Sequence, residues 1–463
     1  MSTGVLFDED LMRRYDREGP RYTSYPTAVQ FHEALGPDAY TQAATSSPGA
    51  LAGAPLSLYV HIPFCQSPCF YCGCNKIITR QMDQADAYLS RLTKEIALRG
   101  RHFDRARKVE QLHFGGGTPT FLPMDRLATV IGTIDRHFNL VRDDERDYSI
   151  EIDPRTVDPA GVRTLAQLGF NRLSLGVQDY DPLVQRAINR FQPAETVTRL
   201  LQAAREHGFG SLNFDLIYGL PRQTPETFAA TLEKVIAQRP DRLAVYGYAH
   251  MPQMFKAQRK IVPAELPDAA TRLALLKMAI DTLTGAGYVY IGMDHFALPD
   301  DTLARAYANG SMHRSFQGYT THASRDLVSL GVSAIGQVGR LYIQNHKTMS
   351  LYSAALDQDR LPLHRGVVMS DEDLLRRDVI QQIMCRNSVD RESTGRRFGI
   401  DFDIHFAAEL ARLEALRADG LVECAGRRIE LTPRGRLLMR NVAMLFDAYK
   451  NAGAGTPRLS RVI

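Results

Sequence analysis

Four cysteines lie within ten residues of this 463-residue chain, and their spacing has a clear chemical meaning. The segment reads Cys65-Gln-Ser-Pro-Cys69-Phe-Tyr-Cys72-Gly-Cys74. In a reducing compartment such a group indicates a metal site, because disulfides seldom persist there. Structural zinc sites use paired cysteine arms separated by a longer loop. A C-x₃-C-x₂-C loop can hold three corners of a four-iron cluster and leave the fourth iron open, although zinc binding and simple core packing remain alternatives.

A glycine run follows in His113-Phe-Gly-Gly-Gly-Thr-Pro119. Glycines allow the backbone to approach a ligand closely and to present free N–H and C=O groups. An ordinary turn or a phosphate cradle is the alternative. A phosphate-binding loop would continue with Gly-Lys-Ser/Thr, which is missing here.

Six apolar, β-prone runs must position these two motifs. They are LSLYVHIP (56–63), VEQLHFGGGTP (109–119), DYSIEIDP (147–154), NRLSLGVQD (171–179), LNFDLIYGLP (212–221) and RLAVYGYAH (242–250). Segments between them, such as 85–99 and 193–209, have apolar residues at helical spacing. Six β–α units in series predict an α/β fold with a parallel sheet, favouring a partial (β/α)₆ TIM-like barrel, with a doubly wound sheet as the alternative.

Unusual residues stand at or near the C-terminal ends of these runs. They are His61, Gly115–Gly117, Glu151, Gln178, Asp215 and Ala249–His250. Parallel α/β folds build their active sites at this rim. The sequence therefore predicts a site there, with the cysteine loop just after the first strand.

Composition excludes several classes of protein. A net charge of +4 is too small to indicate nucleic acid binding. No apolar run reaches the roughly 18 residues of a membrane span, and the first residues lack a secretory signal, so we expect a cytoplasmic protein. The isolated Cys385 and Cys424 are expected to be small buried side chains.

We predict three parts in the chain: an N-terminal extension at 1–54, a catalytic domain at 55–364 and a mainly helical domain at 365–463. The extension is expected to be irregular, ending in the loop-like SSPGALAGAP. The last part contains a helix in SDEDLLRRDVIQQIMC, then a helix, strand, turn, strand, helix pattern typical of a winged helix. Its basic residues are interpreted as a solvated face rather than a DNA surface: Arg427, Arg434, Arg436 and Arg440.

The cysteine loop resembles that of the radical S-adenosylmethionine (SAM) superfamily. Longer blocks resemble one family within it, the oxygen-independent coproporphyrinogen III oxidases, also called dehydrogenases. The blocks are GPRYTSYPT, LYVHIPFC, CGCNKI, LHFGGGTPT, IEIDPR, RLSLGVQD, NFDLIYGLP, YAH, IGMDHFA, FQGYTT, LGVSAI and SRVI. Many relatives have phenylalanine at the position of Tyr71, and the tyrosine still offers an aromatic face.

The resemblance implies specific site residues. Cluster ligands would be Cys65, Cys69 and Cys72, whereas Cys74 would not be a ligand. A first SAM site would include Tyr59, Tyr71, Gly116, Glu151 and Ile335. A second SAM site would include Gly117, Thr118, Gln178, Arg190, Asp215 and Ala249. The predicted catalytic residues are Cys74 and Glu151.

The implied reaction converts coproporphyrinogen III to protoporphyrinogen IX. A reduced [4Fe-4S] cluster would cleave SAM to a 5′-deoxyadenosyl radical, and two propionates would lose carbon dioxide. The substrate's four carboxylates call for a basic cavity, for which Arg21, Arg314 and the 313–317 stretch are candidates. We also expect an electron-donating reductase or flavodoxin-type protein, an unidentified electron acceptor and a monomer. The rival hypotheses are a heme-binding chaperone of the same superfamily and a zinc-stabilised DNA-binding regulator.

Overall fold

The computed structural model describes residues 4–322 and 325–451. The final SRVI block lies outside the described residues. The described chain divides into one compact unit formed by residues 31–272 and 325–368 and another formed by residues 4–30, 273–322 and 369–451. The predicted three-part division stays a prediction.

Strands are numbered in chain order. They are β1 Leu56–Ile62, β2 Phe64–Cys65, β3 Ile77–Ile78, β4 Lys108–Gly116, β5 Asn139–Leu140, β6 Asp147–Ile152, β7 Arg172–Gln178, β8 Ser211–Tyr218, β9 Arg242–Gly247, β10 Val289–Gly292, β11 His295–Ala297, β12 His313–Ser315, β13 Gly318–Thr320, β14 Asp326–Leu330, β15 Ile335–Val338, β16 Leu341–Asn345, β17 Leu363–Val368, β18 Ser388–Asp390, β19 Val422–Ala425 and β20 Arg428–Leu431.

Helices are numbered in the same way. They are α1 Glu9–Tyr15, α2 Pro37–Ser46, α3 Pro48–Leu51, α4 Met82–Gly100, α5 Met124–His137, α6 Pro159–Gln167, α7 Pro182–Ala187, α8 Ala194–Glu206, α9 Pro225–Gln238, α10 Ala269–Gly285, α11 Thr302–Ala308, α12 Met349–Asp357, α13 Asp371–Arg386, α14 Arg391–Phe398, α15 Phe402–His405, α16 Ala407–Ala418, α17 Met439–Ala443 and α18 Ala448–Asn451. None of the described helices has the length and hydropathy needed to cross a membrane.

The six predicted strands form a partial barrel. Strands β9, β8, β7, β6, β4 and β1 are neighbours in that order, and each adjacent pair is parallel. Because the spatial order follows the chain order, every right-handed crossover moves the same way and the sheet curls. A doubly wound sheet reverses direction at a switch point, so that alternative is wrong.

Beyond β1 the sheet continues with strands that the sequence analysis did not identify. Strand β14 pairs parallel with β1, with Leu56 opposite Asp326 and Val60 opposite Leu330. Strands β15, β16 and β17 then extend this edge as an antiparallel meander. Strand β1 therefore lies between β4 and β14, and six of its seven residues are buried.

A buried polar network joins α4 to the β14–β16 edge. Glu95 Oε1 accepts from Arg99 Nε at 2.9 Å and Asn345 Nδ2 at 2.8 Å, while Oε2 accepts from the Gly331 N–H at 2.8 Å and the Tyr352 hydroxyl at 2.7 Å. The Glu95 and Arg99 side chains are fully buried. Both carboxylate oxygens thus have two donors, as a buried charge requires.

The N-terminal segment is more regular than expected. It contains α1, α2 and α3, and α3 lies within the SSPGALAGAP stretch predicted to be a loop. The Ser47 side chain accepts from the Ala50 N–H and Pro48 occupies the first helical turn, so local capping outweighs the glycine content.

The residues after 365 are mainly helical, as predicted. Ser370 and Asp373 form a capping box at the start of α13. Strand β20 lies between β18 and β19 after α16. The expected closing helix is interrupted, because 3₁₀ turns at Gly435–Leu438 and Met444–Phe446 flank the short α17. Cys385 is buried, as predicted. Cys424 is exposed on β19, which forms a hairpin with β20, so the prediction of burial is wrong for Cys424.

Candidate active site

A cavity of about 320 Å³ lies at the C-terminal ends of the parallel strands. Its lining residues are Cys65, Ser67, Cys69, Tyr71, Cys72, Cys74, Lys76, Gly116, Gly117, Thr118, Glu151, Ile152, Asp153, Ser174, Gly176, Gln178, Arg190, Asp215, Ile217 and Tyr246. Of the cluster, cofactor and catalytic residues that the resemblance implies, all except Tyr59, Ala249 and Ile335 are among them.

The cysteine loop is anchored at both ends. Strand β2 pairs with β3, and the Ile77 N–H donates to the Pro63 carbonyl at 2.7 Å. In its middle, Phe70 and Tyr71 pack on an apolar cluster of Val184, Ile188, Ile217, Leu220, Tyr248 and Ile261. The buried Gln258 donates to the carbonyls of Tyr71 at 2.8 Å and Ala249 at 3.1 Å. The loop is therefore held to the rim by packing and by hydrogen bonds.

The three predicted ligand sulfurs have different partners. Cys65 Sγ lies 3.4 Å from the Thr118 hydroxyl, and burial raises the pKa of its thiol to about 11. Cys72 Sγ accepts from the Cys74 N–H at 3.4 Å, and interactions with Cys74 and the Lys76 ammonium lower the pKa of the Cys72 thiol to about 5. Cys69 Sγ receives guanidinium N–H groups instead.

The donor set fits an iron–sulfur cluster better than a single ion. Among residues 4–322 and 325–451, no three Cys, His, Asp or Glu side chains are grouped closely enough to hold one metal ion. A zinc site needs its sulfurs about 2.3 Å from one point. A four-iron cluster spreads its ligands around a larger body, and Cys65, Cys69 and Cys72 all line one cavity.

The glycine run forms a close-fitting turn beside the cysteines. Gly116 has a φ of +119°, and a Cβ there would lie 2.7 Å from the His61 ring. A Cβ on Gly117 would lie 2.7 Å from the Pro63 carbonyl oxygen. The Gly117 N–H donates to the Ile62 carbonyl at 2.8 Å. Only glycine fits both positions, so the backbone itself borders the cavity.

Two rim carboxylates have pKa values shifted in opposite directions. Burial acts to raise the pKa of Glu151, but hydrogen bonds from His113 and the Gly116 N–H outweigh it, so the pKa lies below its ordinary value. Burial, together with the charge of Glu151, raises the pKa of Asp215 to about 6, although Ser174 and Asn213 donate to it. One group is thus poised as an anion and the other titrates near neutrality.

Gln178 ends β7 in a left-handed conformation, with a φ of +66°. Such a conformation is costly for a residue with a side chain and persists only where its surroundings enforce it. Gln192 donates to the carbonyls of Gly176 at 3.1 Å and Val177 at 2.7 Å, which fixes the preceding backbone. Gln178 consequently lines the cavity from a strained position.

The three residues of the implied cofactor sites that do not line the cavity belong to the same unit as the residues that do. Tyr59 donates or accepts a 3.1 Å hydrogen bond with His61 and stacks on His113. Ala249 is connected to the cysteine loop through Gln258. Ile335 opens β15 opposite Gln344. Their assignment to cofactor contacts remains a prediction.

Sequence reasoning missed several lining or neighbouring residues. Asp153 and Arg155 follow Glu151 in the same IEIDPR block, and His113 precedes the glycines. Asp153 and Arg155 come just after the end of β6, which was a usable signal, whereas His113 lies within β4. The substrate candidates Arg21 and Arg314 belong to the other unit, where Arg21 pairs with Asp294.

Comparisons with known proteins identify the relatives of this chain. Residues 59–235 match the family model for the Radical SAM superfamily, and residues 369–438 match that for the HemN C-terminal domain. The oxygen-independent coproporphyrinogen III oxidase of Pseudomonas aeruginosa is 50% identical over 99% of each chain, and that of Escherichia coli is 47% identical over 99% of each chain. A solved structure of coproporphyrinogen III oxidase (HemN) from Escherichia coli, described as a radical SAM enzyme, is 45% identical, covers 96% of this chain and 100% of its own, and superposes with a TM-score of 0.92.

Proposed function

The chain belongs to the family of oxygen-independent coproporphyrinogen III oxidases, and from that premise we propose that it decarboxylates two propionates of coproporphyrinogen III to give protoporphyrinogen IX without oxygen. One observation carries this proposal within the molecule. Cys65, Cys69 and Cys72 border the same cavity as a glycine turn and the Glu151 carboxylate. That arrangement suits a cluster with one open iron and a cofactor beside it.

When bound, the cluster and SAM supply a carbon-centred radical that removes hydrogen from the substrate's propionate. The protein's own residues position the reactants. Glu151 stays anionic because of His113 and the Gly116 N–H, and can accept from an ammonium or ribose hydroxyl. Tyr71 offers an aromatic face, and the Gly116–Gly117 backbone allows close approach.

We further propose two SAM molecules per chain. The first would use Tyr59, Tyr71, Gly116, Glu151 and Ile335. The second would use Gly117, Thr118, Gln178, Arg190, Asp215 and Ala249. Equilibrium dialysis with SAM should give a stoichiometry near two for the reconstituted enzyme, and near one for an Asp215→Ala variant. A stoichiometry of one for the wild type would contradict this proposal.

We also propose a cellular setting and electron-transfer partners for the enzyme. The enzyme would work as a cytoplasmic monomer that receives electrons from a reductase or flavodoxin-type protein. A separate electron acceptor would complete each decarboxylation, because loss of carbon dioxide after hydrogen removal leaves one further electron to be transferred.

One anaerobic experiment tests the function. Reconstituted protein with reductant, SAM and coproporphyrinogen III should yield protoporphyrinogen IX, identified by mass. The reconstituted protein should contain about four irons per chain. Replacing Cys65, Cys69 or Cys72 by serine should abolish both iron binding and product formation. Tight heme binding without product under any reductant would favour the chaperone hypothesis instead.

Cys74 provides a finer prediction. It lines the cavity two residues after Cys72 but is not among the proposed ligands. We expect Cys74→Ser to keep the iron and the cleavage of SAM but to lose most protoporphyrinogen formation. Retained product would indicate a packing role, and lost iron would make Cys74 a ligand. Iron, 5′-deoxyadenosine and protoporphyrinogen measured in one preparation distinguish the three outcomes.

A further inference from the structure

Two arginines converge on one of the three ligand cysteines. Arg190 Nη1 lies 3.4 Å from Cys69 Sγ, and Arg155 Nη2 lies 3.6 Å from the same atom. Cys65 Sγ lies beside the Thr118 hydroxyl, and Cys72 Sγ accepts the Cys74 N–H and has the Lys76 ammonium as its charged neighbour. Both guanidinium groups therefore lie beside a single sulfur, that of Cys69.

Asp153 holds both guanidinium groups in place. Its Oδ2 accepts from Arg155 Nη2 at 2.7 Å and from Arg190 Nη1 at 3.0 Å, and its Oδ1 accepts from the Arg155 backbone N–H at 3.0 Å. Asp153 and Cys69 are each 8% exposed, and Arg190 is 6% exposed. With one carboxylate against two guanidinium groups, the trio leaves a net positive charge beside the sulfur in a poorly solvated place.

We infer that Arg155 and Arg190, positioned by Asp153, raise the reduction potential of the cluster through Cys69. This inference rests on the proposed function. One-electron reduction adds a negative charge to the cluster, and part of that charge resides on its cysteine sulfurs. Positive N–H donors stabilise the reduced form more than the oxidised form, which makes the cluster easier to reduce.

Arg155 is the residue on which to test this inference. Arg190 is proposed to contact a cofactor, whereas Arg155 is not. If Arg155 is replaced, Asp153 keeps Arg190 as its partner, so no buried charge is left unpaired. Arg146 provides a matched control, because it precedes the same strand β6 at its opposite end and donates to the Gly169 carbonyl at 3.0 Å.

The experiment is a spectroelectrochemical titration of the reconstituted enzyme without SAM. Arg155→Met should lower the midpoint potential, with the equilibrium constant for one-electron reduction falling about tenfold, which is 59 mV. Arg155→Lys should fall between Met and wild type, because it keeps the charge but loses the fork geometry. Arg146→Met should match the wild type.

The outcomes separate this inference from the proposed function. A full complement of iron in Arg155→Met with an unchanged midpoint overturns the inference and leaves the function intact. If Arg155→Met loses iron, the midpoint potential is measured in Arg155→Gln, which keeps an N–H donor without the charge. A lower midpoint potential in that variant supports the inference, and an unchanged one overturns it. A wild-type chain that takes up no iron overturns both.

Discussion

Two buried charge clusters in the same unit are built differently. Around Glu95, two donors satisfy each carboxylate oxygen, and the Arg99 guanidinium lies 4.9 Å from the Tyr40 ring centroid. Around Asp153, two guanidinium groups extend past the carboxylate to the sulfur of Cys69. The polar groups of the first cluster bind one another and stabilise the fold, whereas some polar groups of the second cluster contact a residue that lines the cavity. Loss of the Glu95 cluster should therefore reduce the stability of the fold, and changes to the Asp153 cluster at the rim should alter the chemistry of the cavity.

The largest effect on chemistry is expected at Gly116. Valine there must adopt a φ of +119° with its Cβ 2.7 Å from the His61 ring. We expect SAM cleavage to fall at least ~100-fold while the iron content is retained, since small misplacements carry costs of that size. Gly132→Ala is the control, because a Cβ there meets no atom within 4 Å. Unchanged 5′-deoxyadenosine production in Gly116→Val would contradict the proposed cofactor site.

The largest effect on stability is expected at Glu95. Glu95→Ala leaves the fully buried Arg99 without its carboxylate, so the free energy of unfolding should fall by about 3–5 kcal/mol. Urea denaturation of the cluster-free protein measures it. Lys94→Ala, next in the chain, removes only a solvent-exposed pair with Asp359 and should cost about 0–1 kcal/mol. Equal losses in the two variants would remove the distinction between the clusters.

A pH-dependent effect is expected from Asp215 at the rim. Its pKa of about 6 exceeds the roughly 3.9 of an unfolded aspartate, so the folded state binds more protons between these values. Its contribution to the free energy of unfolding is therefore present at low pH and lost as the pH rises from about 4 to about 6. Relative to Asp215→Asn, we expect the free energy of unfolding of the wild type to fall by about 2 kcal/mol between these pH values. This figure is smaller than the full pKa shift implies, because water in the cavity screens the carboxylate. Parallel curves from urea denaturation would refute the shift.

The smallest effect is expected at Tyr352. Tyr352→Phe removes one of the two donors to Glu95 Oε2 and leaves the Gly331 N–H in place. The free energy of unfolding should fall by about 1.5 kcal/mol, the lower end of the range for a hydrogen bond to a charged group, because the second donor to the same oxygen remains. A loss as large as that of Glu95→Ala would mean that the network fails as a whole when any member is removed.

The sequence alone predicted the six strands, because each combines β-prone residues with a helical segment after it. It also predicted that Gly116, Gly117, Glu151, Gln178 and Asp215 would meet at the rim, since parallel strands place their C-terminal ends together, but the rim residues His61, Gly115, Ala249 and His250 do not line the cavity. It could not predict β14, whose pairing with β1 depends on residues far apart in the chain. The contacts of Arg155 with Cys69 depend on side-chain direction, which periodicity does not specify. Local capping by Ser47 similarly overrode the loop-like composition around α3.

The pairing of β1 with β14 also has a consequence for synthesis of the protein. Strand β1 and the cysteine loop leave the ribosome about 260 residues before β14 does. At ~5–20 residues per second, that interval is roughly 13–50 s. During this time one edge of β1 lacks its neighbour, and an unpaired edge can associate with other chains. We therefore expect the iron–sulfur cluster to be inserted only after the chain has been synthesised through residue 330. Chains truncated before β14 should aggregate and bind no cluster.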